Sequence, residues 1–410
     1  MKRSMSQRMS RRHTVFLMDL WATVPYYTAY LAQALRAAGQ VVQVGSISYY
    51  LDLECYSSRG LRPDPGLLDC VSRMRLPAAL RRLLKFLEAN LNLLALSVRF
   101  LLRPPAVVHV QYLPLLRYGL PQERWFLSLC RARGSRIVLT VHDLLPHDTG
   151  QRFATIFQRL YRSMDALICH SEPVRQRLIE EFGIAAEAIT VVAHGPFFYD
   201  LPTSDQVLNP NGDSALRVLW QGIVLPYKGV DVLLNAWRQV EDAVPNAQLT
   251  IAGPCSAPQL DELTALSARL GLAHVRFDSR FVPARELVEL YRSADIVVYP
   301  YKAITTSGAL ATGLALGCTI VASDLPVFRE LLRDGETALL VPPLNAAALA
   351  DAIVLLGRDE ELRARLAAGV RSMDFGERVW QQIAHQTIGV YERLEASPTA
   401  SEAGLGAGPR

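Results

Sequence analysis

The stretch from Asp295 to Glu330, DIVVYPYKAITTSGALATGLALGCTIVASDLPVFRE, constrains the fold of this chain more than any other. Ile296, Val297, Val298 and Tyr299 form a continuous apolar, mostly β-branched run, as expected of a parallel strand covered on both faces. Pro300 ends it, and the loop from Tyr301 to Thr306 is polar. Ser307 and Gly308 then open a helix through Leu316 that Gly317 stops, and Thr319 to Ser323 is the next strand. In an open α/β sheet, ligands bind beyond the carboxyl ends of the strands, near helix N-termini whose free N–H groups suit a phosphate. A Ser-Gly opening lets an anion approach closely, because glycine has no Cβ in the way. The same two residues would serve equally as an ordinary N-cap and a packing glycine.

The chain repeats this unit from its start. Thr14 to Met18 is a first strand, Asp19 to Tyr27 a loop, and YTAYLAQALRAAG a helix that Gly39 closes before the strand VVQVGSI. The loop holds no GxGxxG, so dinucleotide binding has no motif support. Its Trp21, Tyr26 and Tyr27 either line an acceptor site or pack the first helix. The strand AVVHVQY brings His109 and Gln111 to its end. RIVLTVHD ends in His142 and Asp143, and the following loop adds His147 and Asp148, a cluster that could bind a metal through N and O ligands but lacks helical HExxH spacing. Two later strands end in His170 and in His194.

The polar segment 201–215 is the best domain boundary, because a second α/β series begins at Leu216. The expected organisation is a basic tail 1–13, a first domain 14–200, the linker, a second domain 216–375, a helix 376–394 crossing back towards the first domain, and a disordered tail 395–410. The N-terminal residues lack the apolar core of a secretory signal, and the six cysteines are scattered without CxxC spacing, so the cytoplasm is the expected compartment.

Four pieces in order resemble the retaining GT-B glycosyltransferases of the family numbered four: LPYKGVDVLLNAW (225–237), ADIVVYPY (294–301), SGALATGLALGCTIVASDLP (307–326), and Glu330 with DGETALLVPP (334–343). The resemblance covers roughly residues 14–392. It implies an α/β fold of two Rossmann-like domains facing a cleft, the C-terminal one for a nucleotide-sugar donor and the N-terminal one for the acceptor. It implies no cofactor and no metal, the donor being a UDP- or GDP-sugar. Position by position, Lys228 matches the lysine that contacts the donor diphosphate. Ser307, Gly308 and Ala309 match the phosphate-facing helix start, and His142 matches a histidine near the transferred sugar. A solvated surface lysine and a structural histidine are the alternatives.

The departures are specific. Ile223 stands where relatives carry an arginine after the glycine, here Gly222, and Ile304 and Thr312 stand where they carry paired glutamates. Lys302 is the candidate for a second positive charge and Thr312 for a weaker ribose contact. The expected activity is transfer of a hexose to an acceptor hydroxyl in membrane-linked or extracellular polysaccharide or glycolipid assembly. A degenerate GT-B protein without turnover and a nucleotide-sugar 2-epimerase are the alternatives.

One segment points to a surface. Between Arg73 and Arg103 lie seven basic residues and one acidic residue, and Leu80, Leu84, Leu87, Leu91, Leu94, Val98 and Leu101 recur at helical spacing. Residues 1–200 hold 25 Lys/Arg and 15 Asp/Glu, a balance of +10 in a chain of net charge +4. No aromatic-basic interleaving accompanies the charge, so nucleic acid is not expected. An anionic membrane surface is the expected partner, with peripheral attachment to the inner face of the cell membrane and an acceptor that is a saccharide or a lipid-linked sugar. Core packing is the competing use of the leucine stripe.

Overall fold

The computed structural model describes residues 13–74, 76–145, 153–201 and 215–396. Residues 1–12 and 397–410 of the tails, nearly all of the 201–215 linker, and His147 with Asp148 lie outside the described residues, whereas Glu395, expected in the C-terminal tail, is helical. The chain divides into two compact units, the first made of residues 1–193 and 380–410 and the second of 194–379.

In the first unit, strands alternate with helices: β1 Thr14–Asp19, α1 Pro25–Ala37, β2 Val41–Ser46, α2 Ala78–Leu102, β3 Val107–Val110, α3 Gln122–Ala132, β4 Arg136–Val141, α4 Ala154–Arg162, β5 Ala166–Cys169, α5 Glu172–Glu180 and β6 Ile189–Val191. They build one parallel sheet of order β2-β1-β3-β4-β5-β6. Phe16, Met18, Val108, Ile137 and Leu167 fill its core, consistent with helices covering both faces.

The second unit repeats the scheme. It contains β7 Arg217–Gln221, α6 Val230–Ala243, β8 Gln248–Ala252, α7 Ala257–Arg269, β9 Val275–Asp278, α8 Ala284–Ser293, β10 Ile296–Tyr299, α9 Gly308–Ala315, β11 Ile320–Ser323, α10 Pro326–Arg329, β12 Leu339–Val341, α11 Ala346–Arg358 and α12 Glu360–Ser372. Its parallel sheet has the order β12-β11-β10-β7-β8-β9, with Trp220 and Trp237 wholly buried. Every residue of β10 is buried, as its uninterrupted apolar sequence requires. The segment from His194, which the sequence assigned to the first domain, groups with the second unit.

A last helix, α13 Glu377–Ala396, contributes its residues from Trp380 onward to the first unit. Trp380 stacks on Tyr30 with ring centroids 5.4 Å apart. The Tyr391 hydroxyl lies 2.7 Å from Nδ1 of buried His109, and His13 Nδ1 lies 2.7 Å from a Glu395 carboxylate oxygen.

Helix α2 decides against core packing, the competing use of its leucine stripe. Its leucine stripe faces outward: Leu80, Leu87, Leu91, Leu94, Val98 and Leu101 are exposed, whereas Ala89, Leu93, Leu96 and Phe100 are buried. The charges of the segment are divided: Arg73, Arg82 and Arg103 are exposed, whereas Lys85 is buried, with Nζ 3.5 Å from the Trp21 carbonyl. The physical reason lies in the helix's polar residues, which tie down the irregular chain between β2 and α2. Glu88 accepts from the Cys70 and Val71 N–H groups at 2.7 and 3.1 Å. Asn92 accepts from Leu68 N–H at 2.7 Å and donates to its carbonyl at 3.0 Å, and Arg99 pairs with Asp64 at 2.8 Å. Buried backbone donors need such partners, and meeting that need turns the polar side of α2 inward.

Candidate functional site

In the second unit, the loop after β7 turns through Pro226–Lys228 into Gly229, which caps α6. Gly229 has φ +69°, and a Cβ there would sit 1.9 Å from the Pro300 carbonyl oxygen, so the two loops after adjacent strands β7 and β10 close against each other only because the residue is glycine. The contact is reinforced where Lys302 N–H donates to the Tyr227 carbonyl at 2.7 Å. Half-buried Lys228 carries its ammonium 5.7 Å from the centroid of the Tyr301 ring and against Gly222, whose added Cβ would lie 2.9 Å from Nζ.

The start of α9 is fixed from two directions. Ser307 Oγ accepts from Leu310 N–H at 3.1 Å, an N-cap that leaves the earlier amides without an intrahelical partner. The Ala309 carbonyl accepts from the Tyr299 hydroxyl at 2.9 Å and from the Tyr291 hydroxyl at 3.1 Å, and the Tyr291 hydroxyl also lies 2.9 Å from Gln221 Oε1 at the end of β7. Burial pushes both tyrosines well above their usual pKa, so these hydroxyls stay protonated. Lys228 and Ser307–Ala309 are thus held at the same end of one sheet.

Three other sequence candidates fare differently. Thr312 is buried and its hydroxyl donates to the Gly308 carbonyl at 2.9 Å, which leaves it only acceptor capacity for a ribose hydroxyl. Lys302 Nζ is paired with Asp231 at 2.7 Å, a partly exposed ion pair with which a bound phosphate would compete. Gly308 is required by its own neighbours, because a Cβ would meet Phe197 at 2.9 Å and His194 at 3.3 Å. Ile223 is exposed at the place of the absent arginine.

In the first unit, His142 follows β4 and is buried, with Tyr27 edge-on at 4.7 Å between ring centroids. Its Nε2 lies 3.2 Å from Gln111 Oε1 and its Nδ1 3.2 Å from His170 Nε2. His170 Nδ1 in turn lies 3.0 Å from the Val192 carbonyl, which only accepts, so Nδ1 carries the proton. Burial holds His170 down to about 4 and therefore neutral, so its Nε2 accepts from His142 Nδ1–H. With Nδ1–H given to His170, a bond from Nε2 to Gln111 Oε1 needs a second proton on the His142 ring, and a singly protonated ring needs the amide turned to present its NH2 group. Sequence reasoning placed His170 only at a strand end and missed this pairing, since nothing local connects residues 28 apart. It also missed Asp19, buried at the end of β1, which accepts from Thr23 and Val24 N–H at 2.8 and 2.9 Å and is raised to about 6 by burial.

His170→Asn should expose the linkage. The native fold keeps His170 neutral while the unfolded chain protonates it below about pH 6.5, so as pH falls from about 6.5 to 4 wild type suffers a loss of stability that the variant lacks. The stability gap between the two, read by urea unfolding, should narrow across that window. A constant gap would refute the neutral assignment.

Comparison with known proteins agrees with this architecture. Residues 24–195 match the family described as Glycosyltransferase Family 4, and residues 215–359 match Glycosyl transferases group 1. A phosphatidyl-myo-inositol mannosyltransferase of Mycobacterium tuberculosis is 39% identical over 181 residues, 42% of this chain and 45% of that protein. The alignment therefore spans less than half the length of that relative. The Mycolicibacterium smegmatis protein of the same name is 28% identical over 92% of both chains. A D-inositol 3-phosphate glycosyltransferase of Streptomyces bingchenggensis is 27% identical over 66% of this chain and 63% of its own. Among solved structures, Anabaena Alr3699/HepE in complex with UDP-glucose superposes with TM-score 0.70 at 17% identity, covering 92% of this chain and all of that one. Two parallel α/β units, matched in turn by the two family descriptions, place the chain in the family 4 glycosyltransferases of GT-B fold.

Proposed function

We propose that this protein is a retaining transferase that moves a hexose from a nucleoside diphosphate sugar to an acceptor hydroxyl. The observation that carries the reading is the convergence of Lys228 and the Ser307-capped start of α9 at the ends of β7 and β10. A flexible ammonium and a helix start are what a departing diphosphate needs, since both stabilise negative charge as it develops. Catalysis of this kind rests on positioning and charge stabilisation, with the leaving group departing from the face that the acceptor attacks. Lys228 and helix amides supply the neutralisation without a metal.

The acceptor we propose is an inositol-phosphate headgroup, in the lipid-linked form that the phosphatidyl-myo-inositol mannosyltransferases are named for. Their names also make mannose the first donor sugar to offer. A second reading, a GT-B protein that binds without turnover, is favoured by Ile223, Ile304 and Thr312 at the places of the missing arginine and glutamates. One experiment separates them. Purified protein is incubated with GDP-mannose or UDP-glucose and with phosphatidylinositol or inositol phosphate, and products are read by mass spectrometry. A hexosylated acceptor is the expected result. Nucleotide binding by calorimetry with no product from any combination would favour the binding protein.

A further inference from the structure

We infer that the outward face of α2 is a membrane-docking surface that lies in the interface of an anionic bilayer. The inference extends the lipid-acceptor reading above, and its test contains neither donor nor acceptor, so the two can fail separately.

The 25-residue helix is about 37 Å long at 1.5 Å per residue. From Leu83 to Leu102 every exposed residue is apolar. Leu83, Leu87, Leu91, Leu94 and Val98 are each about half exposed or more, Leu94 reaching 63%. An ordinary sheet-covering helix would bury this stripe and show its charges; α2 does the reverse, with Lys85, Glu88 and Asn92 on its inner side. That inversion is not slack packing, because Glu88, Asn92 and Arg99 are bonded to the 64–71 chain and Lys85 to the Trp21 carbonyl. A contiguous apolar face of this length on a helix held in place needs a partner.

Charge decides which partner. The apolar face carries no charge along its length, and exposed Arg82 and Arg103 stand at its two ends. Residues 1–200 are basic overall, with 25 Lys/Arg against 15 Asp/Glu. A second copy stacked by two-fold symmetry would bring arginine ends against arginine ends. A bilayer offers acyl chains to the leucines and anionic headgroups to both ends at once, the arrangement of an interfacial amphipathic helix. Among the described residues no helix is long and apolar enough to cross a membrane, so the contact is one of lying on the surface rather than spanning it.

The test is co-sedimentation of the full chain with phosphatidylcholine vesicles, with and without phosphatidylglycerol. Wild type should pellet with anionic vesicles, and added salt should weaken but not abolish binding, because the leucines are indifferent to screening. The variant Leu87→Gln/Leu91→Gln/Leu94→Gln should lose binding by about tenfold or more. Its thermal unfolding midpoint should match wild type, since the three side chains are half exposed. Arg82→Gln/Arg103→Gln should weaken binding a few-fold and flatten the salt dependence. Wild type left in the supernatant, or a leucine variant that pellets like wild type, overturns the proposal. So does a wild-type dimer by light scattering that the leucine variant splits without any vesicle binding, which would give the face to a second copy.

Discussion

Lys228→Ala is expected to weaken nucleoside diphosphate binding by roughly 1–3 kcal/mol, the range for a charge-assisted contact, and to lower transfer at least as much. The ammonium is held against Gly222 and near the Tyr301 ring at the sheet edge that α9 also faces. Lys302 cannot replace it while paired with Asp231, and Ile223 offers no charge where relatives carry arginine. The loss should therefore fall on Lys228 nearly alone. Titration calorimetry of UDP and GDP against both proteins measures it, and equal affinities would remove Lys228 from the phosphate site. Lys228→Arg is the companion variant, because it keeps charge but changes shape in a crowded loop.

Gly229→Val should have the larger structural effect. Holding a β-branched residue at φ +69° costs roughly 1–3 kcal/mol from the backbone alone. The new Cβ would also lie 1.9 Å from a carbonyl oxygen, closer than any relaxation of side chains can relieve. The loops after β7 and β10 must then part, which breaks the Lys302 N–H to Tyr227 bond and carries Lys228 away from Gly222. We expect a lower unfolding midpoint together with loss of nucleotide binding. A variant that keeps normal binding while losing stability would show that the approach of the two loops does not set the position of Lys228.

The parts legible in the sequence are those fixed by local chemistry. A continuous β-branched run made β10 recognisable, and Ser307 marked the start of α9 because capping is a property of one turn. Lys228 stood out through Gly229, whose role is likewise local in part. What could not be read are facts set by distant partners. Helical spacing revealed the stripe on α2 but not its direction, which depends on Glu88 and Asn92 meeting backbone groups near residues 68–71. The need for glycine at 308 arises from Phe197 and His194, more than a hundred residues earlier in the chain. Nor could the sequence show that the turn of α9 sets the Thr312 hydroxyl to donate to the Gly308 carbonyl.

The first unit is completed only by residues from Trp380 onward, which supply Trp380 to Tyr30 and Tyr391 to His109. On a ribosome this makes the order of folding differ from the order of synthesis. The β1 to β6 sheet must wait, with Tyr30 and His109 uncovered, until the entire second unit has been made. The second unit is one unbroken segment and is free to close as it emerges. A nascent chain halted just short of Trp380, with residues 194–379 already made, therefore holds a finished second unit behind an unfinished first one, and a protease or a chaperone would find its target in the N-terminal half.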